Sequence, residues 1–266
     1  MSDVQDTTAL NPAKARLEAG ELVLCLGVRL ARTVDIARMA KTAGFDAIFI
    51  DMEHSSMPLE TAVQISVAAL DVGITAVVRI PGHLPNEASR IVDGGALGVV
   101  VPHVDTPEQA KMMVDACKFP PLGHRSTGGP SVHLNFRRVP GAGQILNDAT
   151  LVTVMLETPE AIANADAIAA VEGVDMIMIG TNDLSTEMGC PGQHDHDKIR
   201  AAYKTVGEAC RKHGTHFAMG GVRDNPDLVS DYIGCGVRFI LAGSDSSLII
   251  AGARREAEAL RAIPMS

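Results

Sequence analysis

The stretch FDAIFIDMEH, residues 45–54, decides how this chain is read. Its apolar run at 47–50 stops abruptly at three ionisable side chains, Asp51, Glu53 and His54. A short continuous apolar run reads as a strand buried on both faces, the habit of parallel sheets. A buried strand that ends in an acceptor, a second carboxylate and a titratable imidazole offers a place for proton transfer or ligand binding.

Working outward, seven further runs repeat the pattern: residues 22–28 (LVLCLGV), 75–80 (TAVVRI), 97–101 (LGVVV), 151–156 (LVTVML), 175–179 (DMIMI), 216–219 and 237–241 (VRFIL). Helical patterns lie between them. Residues 33–43 end at Gly44, a glycine C-cap. Pro58 stands near the first turn of a helix whose Leu59, Ala62, Val63, Ser66, Val67 and Leu70 keep three-four spacing. A short helix is expected over 87–92. Thr106-Pro107-Glu108-Gln109 is a capping-box start for a helix through Cys117, Thr158-Pro159-Glu160 opens another in the same manner, and the last helix runs over 246–262. Eight strand-and-helix units point to the α/β class and a closed (β/α)8 TIM barrel. An open doubly wound sheet is the alternative, and the absence of GxGxxG after the first strand counts against it. The organisation expected is a polar N-terminal leader over 1–20 and one barrel domain over 21–266.

Composition bounds the function. Hydrophobic residues are 46% and charged residues 21%, as in a globular domain with a large core. Aromatics are only 3% and Trp is absent, so the core is built from Ala, Val, Ile, Leu and Met. A net charge of -9 argues against nucleic-acid and anionic-membrane partners, which need clustered Lys and Arg. Five scattered cysteines without CxxC spacing give neither a disulfide framework nor a zinc site and suit a reducing cytoplasm. Residues 1–8 are polar and acidic, with no apolar segment of a secretory signal. Residues 119–150 break the rhythm with Pro120-Pro121, Gly128-Gly129-Pro130 and Pro140-Gly141 and no clean periodicity. That stretch carries Arg125, His133, Arg137 and Arg138, and reads either as a cover for an anionic substrate or as a surface excursion.

In a barrel the groups at the C-terminal ends of the strands converge on one face. Those ends supply Asp51, Glu53 and His54, then Arg79, Glu157 and Asp183. Two carboxylates without Cys or His companions favour a hard divalent cation, Mg2+ or Mn2+ and then Co2+, with water and substrate completing the shell. Taken singly, Glu157 reads as an acid at a helix N-terminus, Asp183 as an N-cap, and Arg79 as the structural partner of Asp51 or Asp93. Their coincidence on one rim favours the functional reading. None of the seven lysines ends an apolar strand, so a Schiff-base aldolase has no candidate nucleophile. His194-Asp195-His196 lies in a Gly/Pro loop and reads as solvated, and Cys190 as an inert small residue. Gly220-Gly221 and Gly243-Ser244 resemble the turns of a barrel phosphate site, and tight geometry explains them equally.

The motifs FDAIFIDMEH, TAVVRIPG, VVVPHV, KFPPLGHRSTG, VMLETPEA and VEGVDMIMIGTNDLSTEMG together resemble the HpcH/HpaI aldolase family, in order from about Leu22 to Leu260. The resemblance implies a metal-dependent barrel aldolase that cleaves 4-hydroxy-2-oxoacids to pyruvate, or a related 2-oxoacid such as hydroxypyruvate, and an aldehyde. It implies Glu157 and Asp183 as metal ligands and His54, paired with Asp51, as a base acting through a metal-bound water. Arg79 would hold the oxoacid, and the backbone of Gly180, Thr181 and Asn182 its carboxylate. Asp93 would reach a neighbouring subunit's site. From the residues themselves, Glu53 either binds a metal-bound water or orients the loop, and Arg125 is a supporting residue of the mouth. The resemblance implies a homohexamer, a trimer of dimers, with the C-terminal helix exchanged between subunits. Gly180-Thr181-Asn182-Asp183-Leu184 stands where the family usually reads GPxDL, and residues 128–139 also differ, so the substrate is not carried over. Alternatives within the resemblance are a citrate-lyase or malyl-CoA-lyase-like enzyme and a macrophomate-synthase-like oxaloacetate decarboxylase. A non-catalytic oxoacid-binding scaffold is the alternative outside enzymes.

Overall fold

A computed structural model describes residues 10–265. The eight expected strands are β1 (Val23–Val28), β2 (Ala47–Asp51), β3 (Thr75–Arg79), β4 (Gly98–Val101), β5 (Leu151–Leu156), β6 (Met176–Gly180), β7 (His216–Gly220) and β8 (Val237–Ser244). All pair in parallel with their sequence neighbours, and β8 closes on β1 through Val23↔Phe239. Alternation along each strand explains why the runs are apolar throughout. Val23, Cys25, Phe49, Val77, Met155, Met178 and Phe239 fill the interior, while Leu26, Val28, Ile48, Ile50, Val78 and Val154 face the helices.

The outer helices follow the cap chemistry. α2 (Asp35–Thr42), α3 (Leu59–Val72) and α4 (Pro85–Asp93) return the chain from the C-terminal to the N-terminal end of the barrel. α5 (Pro107–Cys117) starts with the full capping box of Thr106 and Gln109. Thr158 caps α7 (Pro159–Ala163) through the Ala161 amide, without a reciprocal partner because position N3 is alanine. α8 (Ala165–Ala169), α9 (Thr181–Glu187), α10 (Asp197–His213), α11 (Pro226–Gly234) and α12 (Asp245–Arg261) complete the ring. No helix among the described residues is long and apolar enough to cross a membrane.

Two expectations change. Within the stretch read as a leader, residues 12–18 form α1 (Pro12–Glu18), which plugs the N-terminal mouth of the barrel. Ala13 and Leu17 join the interior cluster, and burying a side chain such as Leu17 contributes on the order of 2 kcal/mol. The Asn11 amide donates to Leu97 O (3.2 Å) and Ala149 O (2.7 Å), while its Oδ1 accepts from Thr75 Oγ1 (2.8 Å) and the Lys14 amide. A polar composition conceals this helix because only one of its faces is covered. The reading of residues 1–8 lies outside the described residues.

The stretch 119–150 is not structureless either. It holds a 3-10 turn (Val132–Leu134) and α6 (Ala142–Ala149), which buries Leu146 and Ala149. Phe119 N donates to Asn147 Oδ1 (2.7 Å) and Asn147 Nδ2 to Phe119 O (2.9 Å), tying the excursion to itself.

Candidate active site

Asp51 ends β2 in register with Arg79 at the end of β3. Its carboxylate accepts from Arg79 Nε (3.1 Å) and Nη2 (2.7 Å), from Arg29 Nε (2.7 Å), and from the amides of Glu53 and His54. Burial works against the charged form, and the two arginines and the amides outweigh it, so the Asp51 carboxyl is held below the usual carboxylate range. Asp51 is therefore the fixed counter-charge that aims both arginines. Arg79 is itself buried, with Nη1 2.9 Å from Glu53 Oε2 and its guanidinium 5.5 Å from the Phe49 ring centroid. That close approach lacks hydrogen-bond geometry, and Glu53 Oε2 remains a buried oxygen without a hydrogen-bond donor among the described residues.

Glu157 follows β5 and is 1% exposed. Its side chain takes one hydrogen bond among the described residues, from the His103 amide to Oε2 (3.0 Å). Burial pushes its pKa up to about 7, and the charge of Asp183 adds to the rise. The neighbouring strand makes room for it: a Cβ at Gly180 would lie 2.1 Å from Glu157 Oε1. Asp183 is exposed in the first turn of α9, beyond Gly180 and Thr181. Thr181 is buried, donating to Gly220 O (2.7 Å) and meeting Tyr203 Oη at 2.7 Å, which fixes the turn. Glu157, a desolvated carboxylate short of donors, and Asp183 beside it are hard-oxygen donors that fit a divalent cation, with water and substrate completing its shell.

His54 does not bond Asp51 through its ring. Its Nε2 lies 3.9 Å from Glu53 Oε2, its side chain is half-exposed, and only its backbone amide reaches Asp51. The imidazole thus borders the cavity with Glu53 as its nearest carboxylate. The cavity measures about 280 Å³ and brings together His54, Arg79, Glu157, Thr181, Asn182 and Asp183.

Asp93 and Arg125 are not brought to this mouth within the chain. Asp93 ends α4, at the N-terminal end of the barrel, and pairs there with Arg125 (Nη2 to Oδ1, 2.6 Å). Arg125 is buried and stacks over Phe119, so the cover expected from residues 119–150 does not use it against a ligand. His133 is buried as well, bonded to Ala96 O. His196 caps α10, and among the described residues no cluster of three acidic, His or Cys side chains could hold a metal. Cys190 is buried.

Sequence reasoning passed over three residues of the mouth. Arg29 follows β1 directly and lines the cavity. His103 follows β4 and Pro102, with Nδ1 3.4 Å from Glu157 Oε2 and a left-handed backbone (φ 52°), a conformation that costs a non-glycine residue on the order of 1 kcal/mol. Asp245 anchors the turn after β1 by accepting from the amides of Arg29, Leu30 and Ala31. The strand-end rule would have found the first two, and the third needs the closure of β8 on β1.

The family model for HpcH/HpaI aldolase/citrate lyase matches residues 30–252. A 4-hydroxy-4-methyl-2-oxoglutarate aldolase of Hapsidospora irregularis is 40% identical, over 94% of this chain and 94% of its own. A hydroxypyruvate/pyruvate aldolase of Cupriavidus necator is 32% identical, over 96% of this chain and 94% of its own. Among solved structures, an HpcH/HpaI aldolase from Desulfitobacterium hafniense superposes with a TM-score of 0.87 at 28% identity, covering 94% of this chain and 97% of that one. With the barrel, the strand-end carboxylates and these matches together, the chain belongs to the HpcH/HpaI aldolase/citrate lyase family and is a carbon-carbon lyase.

Proposed function

We propose that the protein is a divalent-metal-dependent aldolase that reversibly cleaves a 4-hydroxy-2-oxoacid to pyruvate, or a related 2-oxoacid, and a carbonyl product. The observation that carries the reading is the pairing of a desolvated Glu157 with Asp183 beside a pre-aimed Arg79 in one cavity. No lysine among the described residues lines its walls, so enolate stabilisation falls to fixed positive charge rather than to a Schiff base. The substrate named for the Hapsidospora irregularis relative is the first to test.

Glu157 and Asp183 would hold Mg2+, Mn2+ or Co2+, which supplies Lewis-acid polarisation of the 2-oxo group. Arg79, held rigid by Asp51, stabilises the negative charge that grows on that oxygen as C3-C4 breaks. The amides of Gly180, Thr181 and Asn182 receive the 2-oxoacid carboxylate. His54 takes the C4 hydroxyl proton and returns one to C3, with Glu53 rather than Asp51 as the carboxylate nearest its ring. Loss of Arg79 in Arg79→Ala lowers kcat/KM about a hundredfold or more, and His54→Ala lowers kcat comparably. Near wild-type retro-aldol rates in both variants, or full activity after exhaustive chelation with EDTA, overturn the assignment.

We also propose assembly as a hexamer, a trimer of dimers, with α12 exchanged. In support, α12 buries only Asp245 of its own length, while Leu248, Ile249, Ile250 and Leu260 are exposed. The five free thiols support a cytoplasmic setting.

A further inference from the structure

We propose that the barrel mouth has a second lobe that receives a carboxylate on C4 of the substrate, with Arg29 and Arg223 as its cationic walls. The inference rests on the aldolase reading and narrows it to substrates whose cleavage yields two 2-oxoacids.

The lobe measures about 240 Å³ and adjoins the first cavity, with which it shares Arg29, Phe49, Asn182, Gly221 and Leu241. Arg79, Glu157 and Gly180 belong to the first cavity, while Arg223, Gly243 and Ser247 belong to the second. A substrate whose 2-oxoacid half lies against Arg79 therefore sends its C4 substituent across the shared wall into the second lobe.

Two wall residues of the lobe are glycines in conformations that side chains rarely adopt. A Cβ at Gly243 would lie 2.6 Å from Arg223 Nη1, and one at Gly221 would lie 3.1 Å from Asn182 Nδ2. Both glycines hold positive φ, 136° and 93°, so a side chain there is disfavoured by conformation as well as by space. Residues whose pattern resembled a phosphate-binding turn thus form the floor of an anion-sized concavity.

Both of the lobe's guanidinium groups keep donors without a protein acceptor among the described residues. Among the described residues Asp51 is the only carboxylate on the lobe's walls, 1% exposed and already committed to Arg79, Arg29 Nε and two amides. Among the described residues, the terminal Nη groups of Arg29 have no protein acceptor. Arg223 Nη1 donates to Ser247 Oγ (3.0 Å), which parks the guanidinium at the rim, and Asp224, 91% exposed, lies 3.5 Å from Nε on its solvent side. Two guanidinium groups around a small concavity match a carboxylate through charge-assisted hydrogen bonds. An aliphatic C4 substituent would leave them facing apolar surface.

The chemistry balances without a co-reactant. The C3-C4 bond breaks, its electron pair becomes the enolate of the first 2-oxoacid, the C4 hydroxyl gives up its proton and becomes the carbonyl of the second 2-oxoacid, and a proton adds to C3. The test compares 4-hydroxy-4-methyl-2-oxoglutarate with 4-hydroxy-2-oxovalerate, which carries hydrogen in place of the C4 carboxylate. Wild type is expected to favour the dioate in kcat/KM by about a hundredfold, and Arg223→Met to lower that ratio at least about tenfold, chiefly through KM. Arg223→Lys is expected to keep part of the preference. Equal activity on both substrates, or preference for the monoacid, overturns the lobe and leaves the aldolase reading intact. An equal loss on both substrates in Arg223→Met makes Arg223 a mere prop of its loop and overturns its role. Cleavage of neither substrate with added Mg2+ or Mn2+ brings down the aldolase reading and the lobe together.

Discussion

At the N-terminal end of the barrel Lys118 is 2% exposed, and its Nζ donates to Asn147 O (2.7 Å) and Thr150 O (2.6 Å) and pairs with Asp175 Oδ2 (2.8 Å). At the C-terminal end Glu157 is 1% exposed and has a single amide donor at 3.0 Å. Both are ionisable groups taken out of water, and the difference lies in how fully the protein replaces the lost solvation. Lys118 has partners for each of its donors, and Lys14 reinforces Asp175 from the other side (3.0 Å). Glu157 keeps an oxygen, Oε1, that accepts from no protein donor among the described residues. A satisfied buried charge holds structure together, whereas an unsatisfied one stores a demand that a ligand can meet.

The strongest challenge to this contrast is Glu157→Gln. Retro-aldol kcat is expected to fall about a thousandfold, while the unfolding midpoint of chelated protein stays level or rises, since the variant removes an uncompensated charge. A clear loss of thermal stability in EDTA would show Glu157 to be a structural residue and would erase the distinction between the two ends. Lys118→Met is the mirror experiment. It strands two carbonyls and weakens the hold on Asp175, so denaturant unfolding should show a loss of about 3 kcal/mol, with kcat of the folded enzyme within about twofold of wild type.

The same contrast explains which parts of the molecule could be read in the sequence. Strand runs such as 151–156 were legible to the residue because an interior and an exterior layer both demand apolar side chains there. The rim was legible because a polar residue after such a run has only the mouth to enter, and Arg29 and His103 obey that rule as well as Arg79 and Glu157 do. The N-terminal end was not. α1 is a seven-residue helix with one covered face, and its attachment through Asn11 and Thr75 joins residues 64 positions apart. α6 hides in a proline- and glycine-rich stretch for a similar reason, since its polar bonds through Asn147 and Lys118 join residues 28 and 29 positions apart. The ring geometry of His54 was also out of reach: the resemblance implies Asp51 as its partner, but two arginines claim that carboxylate first.

Asp93 gives the smallest expected effect and the finest division between the two ends. Within the chain it sits at the N-terminal end, with its side chain half-exposed, and accepts from Arg125 Nε (3.1 Å) and Nη2 (2.6 Å). Exposure screens this pair from its partner's burial, so Asp93→Asn should lower the unfolding free energy by only about 1 kcal/mol, with Arg125 still stacked over Phe119 at 4.5 Å. If Asp93 serves its own barrel alone, kcat/KM for the retro-aldol reaction stays within about twofold of wild type. That is the outcome expected from its placement. The family resemblance assigns an acid at this position to a neighbouring subunit's site, and a tenfold or larger fall in kcat with the melting point held would establish that second role. One measurement therefore decides whether charge at the N-terminal end is purely structural, and the comparison of kcat with stability separates the roles because loss of the Arg125 pair alone affects only the latter.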